Sequence, residues 1–304
     1  MHNHSHSHSK ISHSETGNLM RLASLASLIV GLFLVIIKTI AWYMSDSLSL
    51  MSSLADSMLD VMASTVNFVA IRYALKPADD DHRFGHGKAE DLATFAQSTF
   101  ICGSGVFLIF EGIKRMFSPE VIHNSSIGII VMIISIIMSI ALVSYQKYVV
   151  SKTDSSAIEA DSMHYVVDIV TNSGVIIALI LNNYMGLAVF DPIIAIMIAI
   201  YIIYGSWKMG YGAFHNLMDR EFSNNEYIEI EQVIKEYPEI HGIHELRTRK
   251  SGIYRFIQFH LDFIDENISL KQAHIISDSI EEKLKNIFPN TEILIHQDPL
   301  HGDS

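Results

Sequence analysis

Two acids four residues apart, Asp56 and Asp60, stand in Ser53-Leu54-Ala55-Asp56-Ser57-Met58-Leu59-Asp60, inside a run otherwise fit to cross a bilayer. A helix turns once per about 3.6 residues, so both carboxylates project from one face, about one turn apart. Ionised side chains are costly in hydrocarbon, and an acid kept there marks an ion or proton path. His164 and Asp168 repeat the i, i+4 spacing in a second apolar run. Three carboxylates and one imidazole make a four-ligand site for a tetrahedral divalent metal, Zn²⁺ above all, while the oxygen donors also admit Cd²⁺, Fe²⁺ and Mn²⁺. Emptied of metal, three acids in a bilayer take up protons instead, so metal and protons compete for the same atoms, which is half of an antiport mechanism. The plainer alternative is a polar cluster that holds two helices together. Asp161, one turn toward the cytoplasm from His164, either lines an entrance to the site or is an interfacial acid.

Two further clusters have ligand chemistry. The connection from Pro77 to Lys88 carries Asp79, Asp80, Asp81, His82 and His86, of which Asp79, His82 and His86 can ligate one metal or simply form a solvated acidic turn. Nearer the C-terminus, His244 and His260 fall in adjacent expected strands, His274 on the helix that follows, and His296 and Asp298 on one face of a last strand. Period-two alternation sets Gln258, His260 and Asp262 opposite Ile257, Phe259 and Leu261. Four imidazoles and an aspartate converge there, which favours a metal site.

Six apolar segments position the intramembrane acids, at about 22–43, 48–73, 93–113, 126–147, 158–182 and 189–211, each close to the roughly 20 residues a spanning helix needs. The chain is 49% hydrophobic and 18% charged with a mean hydropathy of +0.28, the profile of a polytopic membrane protein. Lys10 and Arg21 precede the first segment, Arg72, Lys76, Arg83 and Lys88 lie in the second connection, and Lys147 and Lys152 in the fourth, with only Lys114 and Arg115 against the trend. The positive-inside rule puts both termini in the cytoplasm. Beyond about Phe222 the expected order is α-β-β-α-β, a small soluble α+β layer. From Asp219 onward the chain has 17 acids against 9 Lys/Arg and carries most of the net charge of −12, which suits cations and argues against nucleic acid. Cys102 is the only cysteine, so metal chemistry falls to His and carboxylates. The expected domains are a disordered His-rich tail over 1–18, a six-helix membrane domain over 19–215 and an α+β domain over 216–304. The tail, with His2, His4, His6, His8 and His13, is either metal-catching or merely solvated.

These motifs resemble the cation diffusion facilitator family from about Arg21 to Pro299: Asp56-x-x-x-Asp60, the loop from Pro77 to Glu90, His164-x-x-x-Asp168, Leu246-Arg247-Thr248-Arg249 and Ile295-His296-Gln297-Asp298-Pro299. The resemblance implies six transmembrane helices and a metallochaperone-like cytoplasmic domain in a homodimer of the bacterial inner membrane. It implies a transport site at Asp56, Asp60, His164 and Asp168, and a loop site at Asp79, His82 and His86. It implies a binuclear site at His244, His260, His274, His296 and Asp298, where the aspartate bridges two structural ions, and a charged pair between Lys88 and Asp219. The implied activity is exchange of cytoplasmic Zn²⁺, with Cd²⁺ and Fe²⁺ as further substrates, for protons by alternating access. The expectation is therefore a secondary transporter and not an enzyme. A membrane-anchored metal sensor and an intramembrane metalloenzyme are the alternatives, though no His-Glu-x-x-His occurs.

Overall fold

The computed structural model describes residues 13–45, 48–117, 126–185 and 190–300, and it divides into two compact units between Ala213 and Phe214. The first unit is built of long helices: α1 (His13–Ser45), α2 (Leu48–Ala74), α3 (Lys88–Phe117), α4 (Ser126–Thr153), α5 (Ser156–Met185) and α6 (Phe190–Leu217), whose last turn enters the second unit. Helix α1 starts at His13, so residues 13–18, expected in a disordered tail, are helical: Thr16 and Met20, one turn apart, are both buried. His2, His4, His6 and His8 lie outside the described residues.

The first unit is patterned inside out. Leu22, Ile29, Phe33, Ile36 and Ile40 on α1 are exposed, whereas Ser27, Ser64, Gln97, Ser139, Gln146 and Asp161 are buried between helices. A water-soluble bundle does the reverse; this arrangement suits lipid outside and satisfied polar groups inside. Among the described residues, five helices are long and apolar enough to cross a membrane, the spans lying in α1, α2, α3, α4 and α6. Helix α5 matches them in length at 30 residues but is not among the five. Close packing explains one of the glycines: a Cβ on Gly105 of α3 would stand 2.7 Å from Ile203 Cγ1 and 3.3 Å from the Ala199 carbonyl of α6, so a side chain there would push the two helices apart.

The second unit follows the expected element order: α7 (Asn224–Lys235), β1 (Ile240–Ser251), β2 (Tyr254–Phe263), α8 (Leu270–Ile287) and β3 (Thr291–Pro299). The sheet runs β1-β2-β3, with β1 and β2 antiparallel and β2 and β3 parallel. The hairpin turns at Gly252, whose φ of 58° is a conformation that favours glycine. Ile230, Val233 and Ile234 of α7 and Ile280 and Leu284 of α8 pack with Ile257, Phe259, Leu261 and Phe263 of β2 into one core. The alternate residues of β2 therefore face away from the helices, as the period-two pattern requires.

A capping box starts α7: Ser223 Oγ accepts from the Glu226 N–H, and Glu226 Oε2 accepts from the Ser223 N–H at 2.9 Å. Glu226 also takes Lys250 at 3.0 Å and Arg255 at 2.9 Å. Burial pushes this carboxyl up, but the Ser223 N–H and the Lys250 ammonium outweigh it and hold the group down at about 2. A depressed folded-state pKa adds stability above the ordinary value of 4.5, and that stability is lost as pH falls toward 2. Hydrogen exchange of residues 222–226 should therefore accelerate as pH falls through that window, beyond the intrinsic trend, and Glu226→Gln should remove the pH dependence. A wild-type profile that stays flat would show that the box does not depend on the charge.

Candidate metal centres

Among the described residues, three groups of potential ligands come together, each with ligand atoms within 4.8 Å of one another: Asp60, His164 and Asp168; Asp79, His82 and His86; and His244, His260 and Asp298.

The first lies where α2 packs against α5. His164 Nε2 is 2.9 Å from Asp60 Oδ1, and the His164 side chain is 7% exposed and that of Asp60 17%. The i, i+4 spacing brings Asp168 to the same face of α5, so two helices supply two carboxylates and an imidazole to one point. Asp56, expected as the fourth member, stands one turn before Asp60 on an exposed part of α2, outside this group. Helix α5 is fixed from α3: the buried Glu90 carboxylate accepts from Ser155 Oγ at 2.6 Å and from the Ala157 N–H at 3.3 Å, capping the first turn of α5. Spacing did not assign Glu90 this role, because the contact joins residues far apart in sequence.

Asp161, expected at an entrance to the site or at the interface, is fully buried. Its oxygens accept from Ser27 Oγ of α1 and, at 2.7 Å, from Gln146 Nε2 of α4, with Ser64 Oγ of α2 and Gln97 Nε2 of α3 each at 3.5 Å. Tyr165 extends the network, its hydroxyl donating to the Ser27 carbonyl at 3.0 Å and lying 3.2 Å from Ser64 Oγ. Sequence spacing placed Asp161 on the His164 side of α5 but could not say that four other helices close over that side.

The second group sits in the connection between α2 and α3. Asp79 accepts from Lys76 Nζ at 2.6 Å and from the His82 N–H at 2.8 Å, which together hold its carboxyl well below the usual range. His86 is buried, with Nδ1 3.3 Å from the Lys76 carbonyl, so that nitrogen carries the proton. Its Nε2 has no hydrogen-bond donor and lies 3.3 Å from Asp79 Oδ2. An imidazole nitrogen and a carboxylate oxygen at this separation, with Nδ1 turned to a carbonyl, are the donor types a divalent metal takes, so the set fits a metal.

The third group is a product of strand register. His244 pairs with His260 across β1 and β2, and His260 with His296 across β2 and β3; two residues on, Asp262 pairs with Asp298. His260 Nδ1 is 2.8 Å from Asp298 Oδ2, and His296 Nε2 is 3.2 Å from Asp298 Oδ1. The hydrogen bond from His260 holds the Asp298 carboxyl below its usual value, so both oxygens are acceptors at neutral pH. Asp262, unassigned by sequence, meets His244 Nδ1 at 3.1 Å. His274 lies apart, exposed on α8 and 3.4 Å from Asp278. Of the expected charged pair, Lys88 opens α3 in the first unit, and Asp219 in the second meets Arg249 at 3.5 Å.

Residues 24–218 match the cation efflux transmembrane domain, and residues 222–300 match the cation efflux protein cytoplasmic domain. The cation-efflux pump FieF of Shewanella oneidensis is 44% identical over 281 residues, covering 92% of this chain and 94% of its own. That of Serratia proteamaculans is 43% identical over 281 residues, covering 92% and 93%. Among solved structures, the metal-bound C-terminal domain of the CzcD transporter from Thermotoga maritima is 26% identical and covers 26% of this chain and 93% of its own, with a TM-score of 0.25.

Proposed function

This chain belongs to the cation efflux family, the cation diffusion facilitators, and we propose that it exports cytoplasmic Zn²⁺ in exchange for protons, acting as a homodimer in a bacterial inner membrane. It is a multi-pass membrane protein of a family of transporters, which removes the ground for the metalloenzyme alternative. One observation carries the mechanism: Asp60, His164 and Asp168 gather their ligand atoms within 4.8 Å on helices of the membrane unit. In this reading α5 is the sixth span, Asp56 joins as the fourth ligand from the same face of α2, and Cd²⁺ and Fe²⁺ are further substrates of an oxygen-rich site. Both termini are cytoplasmic.

The exchange follows from charge. A loaded site holds ionised carboxylates and a neutral imidazole around the metal; when the metal leaves, the acids are left in low dielectric and protons replace it. Each half of the cycle thereby neutralises the cluster before the helices rearrange around it. The sheet face with His244, His260, His296 and Asp298 would hold structural Zn²⁺, to which His274 of α8 contributes, and the Asp79, His82 and His86 loop would hold another ion.

In proteoliposomes with a zinc dye inside, an imposed pH gradient, acid inside, should drive Zn²⁺ uptake, and an ionophore that collapses the gradient should stop it. Uptake that ignores the gradient would disprove proton exchange while leaving metal transport standing.

A further inference from the structure

Between Arg21 and Ser45, Lys38 is the only charged residue of α1. A lysine in an apolar helix ordinarily runs its stem along the surface and lifts its head into the headgroups. Lys38 does the opposite: it is 9% exposed, and its ammonium donates to Ser57 Oγ at 2.6 Å and to the Ser53 carbonyl at 3.2 Å. Ser53 lies one turn before Ser57, and Ser57 directly follows Asp56, so the charge rests on the part of α2 that carries Asp56. The other buried acid of the region, Asp161, is engaged with Ser27 and Gln146.

A positive charge on the turn of α2 that carries Asp56 is unhelpful if tight binding is the goal, because it repels the incoming cation. It is useful if the metal must also leave. We propose that Lys38 sets the affinity of the transport site: its ammonium offsets one carboxylate charge and keeps divalent metal from binding too tightly to be released. This rests on the assignment of Asp56, Asp60, His164 and Asp168 as transport ligands. The expected signature is a split between affinity and rate, because removing the charge strengthens binding of the bound ion while slowing its departure.

The test uses full-length protein in proteoliposomes at fixed pH on both sides, with Zn²⁺ as the probe. Lys38→Gln keeps a hydrogen-bond donor for Ser53 and Ser57 but no charge; Lys38→Arg keeps the charge; Asp168→Ala reports on the site itself. Lys38→Gln should lower the half-saturating Zn²⁺ concentration about tenfold and lower the saturated rate, with Lys38→Arg close to wild type. Lys38→Met serves as a second neutral variant should the glutamine protein fail to fold. Asp168→Ala inactive with both neutral variants at wild-type half-saturation would overturn the role of Lys38 alone. Asp168→Ala with wild-type uptake would remove the transport-site assignment and the role of Lys38 together.

Discussion

Asp60→Ala is expected to abolish metal uptake while leaving the protein folded. Asp60 is the one acid of α2 whose oxygen reaches the imidazole of α5, at 2.9 Å from His164 Nε2, and its side chain is 17% exposed. Its removal deletes a ligand and the link between two helices at the point where they hold the ion. Changes to groups that merely orient ligands cost about 10–100-fold in metal affinity, so loss of a ligand should cost more. Folding should survive, because no hydrogen bond other than that to His164 involves the Asp60 side chain among those described between helices, and the hydrophobic contacts of α1, α2 and α5 are untouched. The measurement is the initial rate of Zn²⁺ uptake, with elution volume and thermal midpoint in detergent as folding controls. Asp60→Asn, which keeps one oxygen but not the charge, should recover only a small part of the rate. Uptake within about twofold of wild type in Asp60→Ala would move the transport path elsewhere, since a ligand lost from a four-ligand site cannot go unnoticed.

What the sequence revealed, and what it withheld, separates along one physical line. Hydropathy over about 20 residues marks membrane helices because lipid selects for apolar surface, and a four-residue spacing fixes which side chains share a face. Both are properties of a single element, so the Asp60, His164 and Asp168 constellation was legible. The alternation in β2 was legible for the same reason, and so was the αββαβ order. Which neighbour a face meets is set by packing, and there the spacing was silent. Asp161 was expected near water because an acid usually is; Ser27, Gln146, Ser64 and Gln97 make it an interior residue instead. Asp56 shares a helix face with Asp60 yet stands outside the gathered group, since a common face leaves a whole turn between two side chains. His274 was expected among the other histidines, but α8 presents it to Asp278. Nothing in the spacing of α1 marks Lys38, because its contact is with Ser57 of α2.

Asp161→Ala should produce the opposite phenotype to Asp60→Ala: loss of stability first, with loss of transport as its consequence. The Asp161 carboxylate joins five helices through one acceptor, with short hydrogen bonds from Ser27 and Gln146 and longer ones from Ser64 and Gln97. Alanine would leave those donors facing a cavity in a region where lipid supplies no replacement. A buried donor without an acceptor costs about 1–3 kcal/mol in water-soluble proteins, but hydrogen bonds between membrane helices average nearer 0.6 kcal/mol, because donors find other partners. Gln146 and Ser27 already have each other at 2.9 Å, so part of the network can close on itself. The expected net loss is about 1–2 kcal/mol. It would appear as a lowered thermal midpoint in detergent, with Asp161→Asn falling between the alanine variant and wild type because its carbonyl still accepts. If Asp161→Ala melts with wild-type protein yet no longer transports, the hub would be a part of the ion or proton path and not a tie between helices. That result would join Asp161 to His164, one turn away, as a second station on that path.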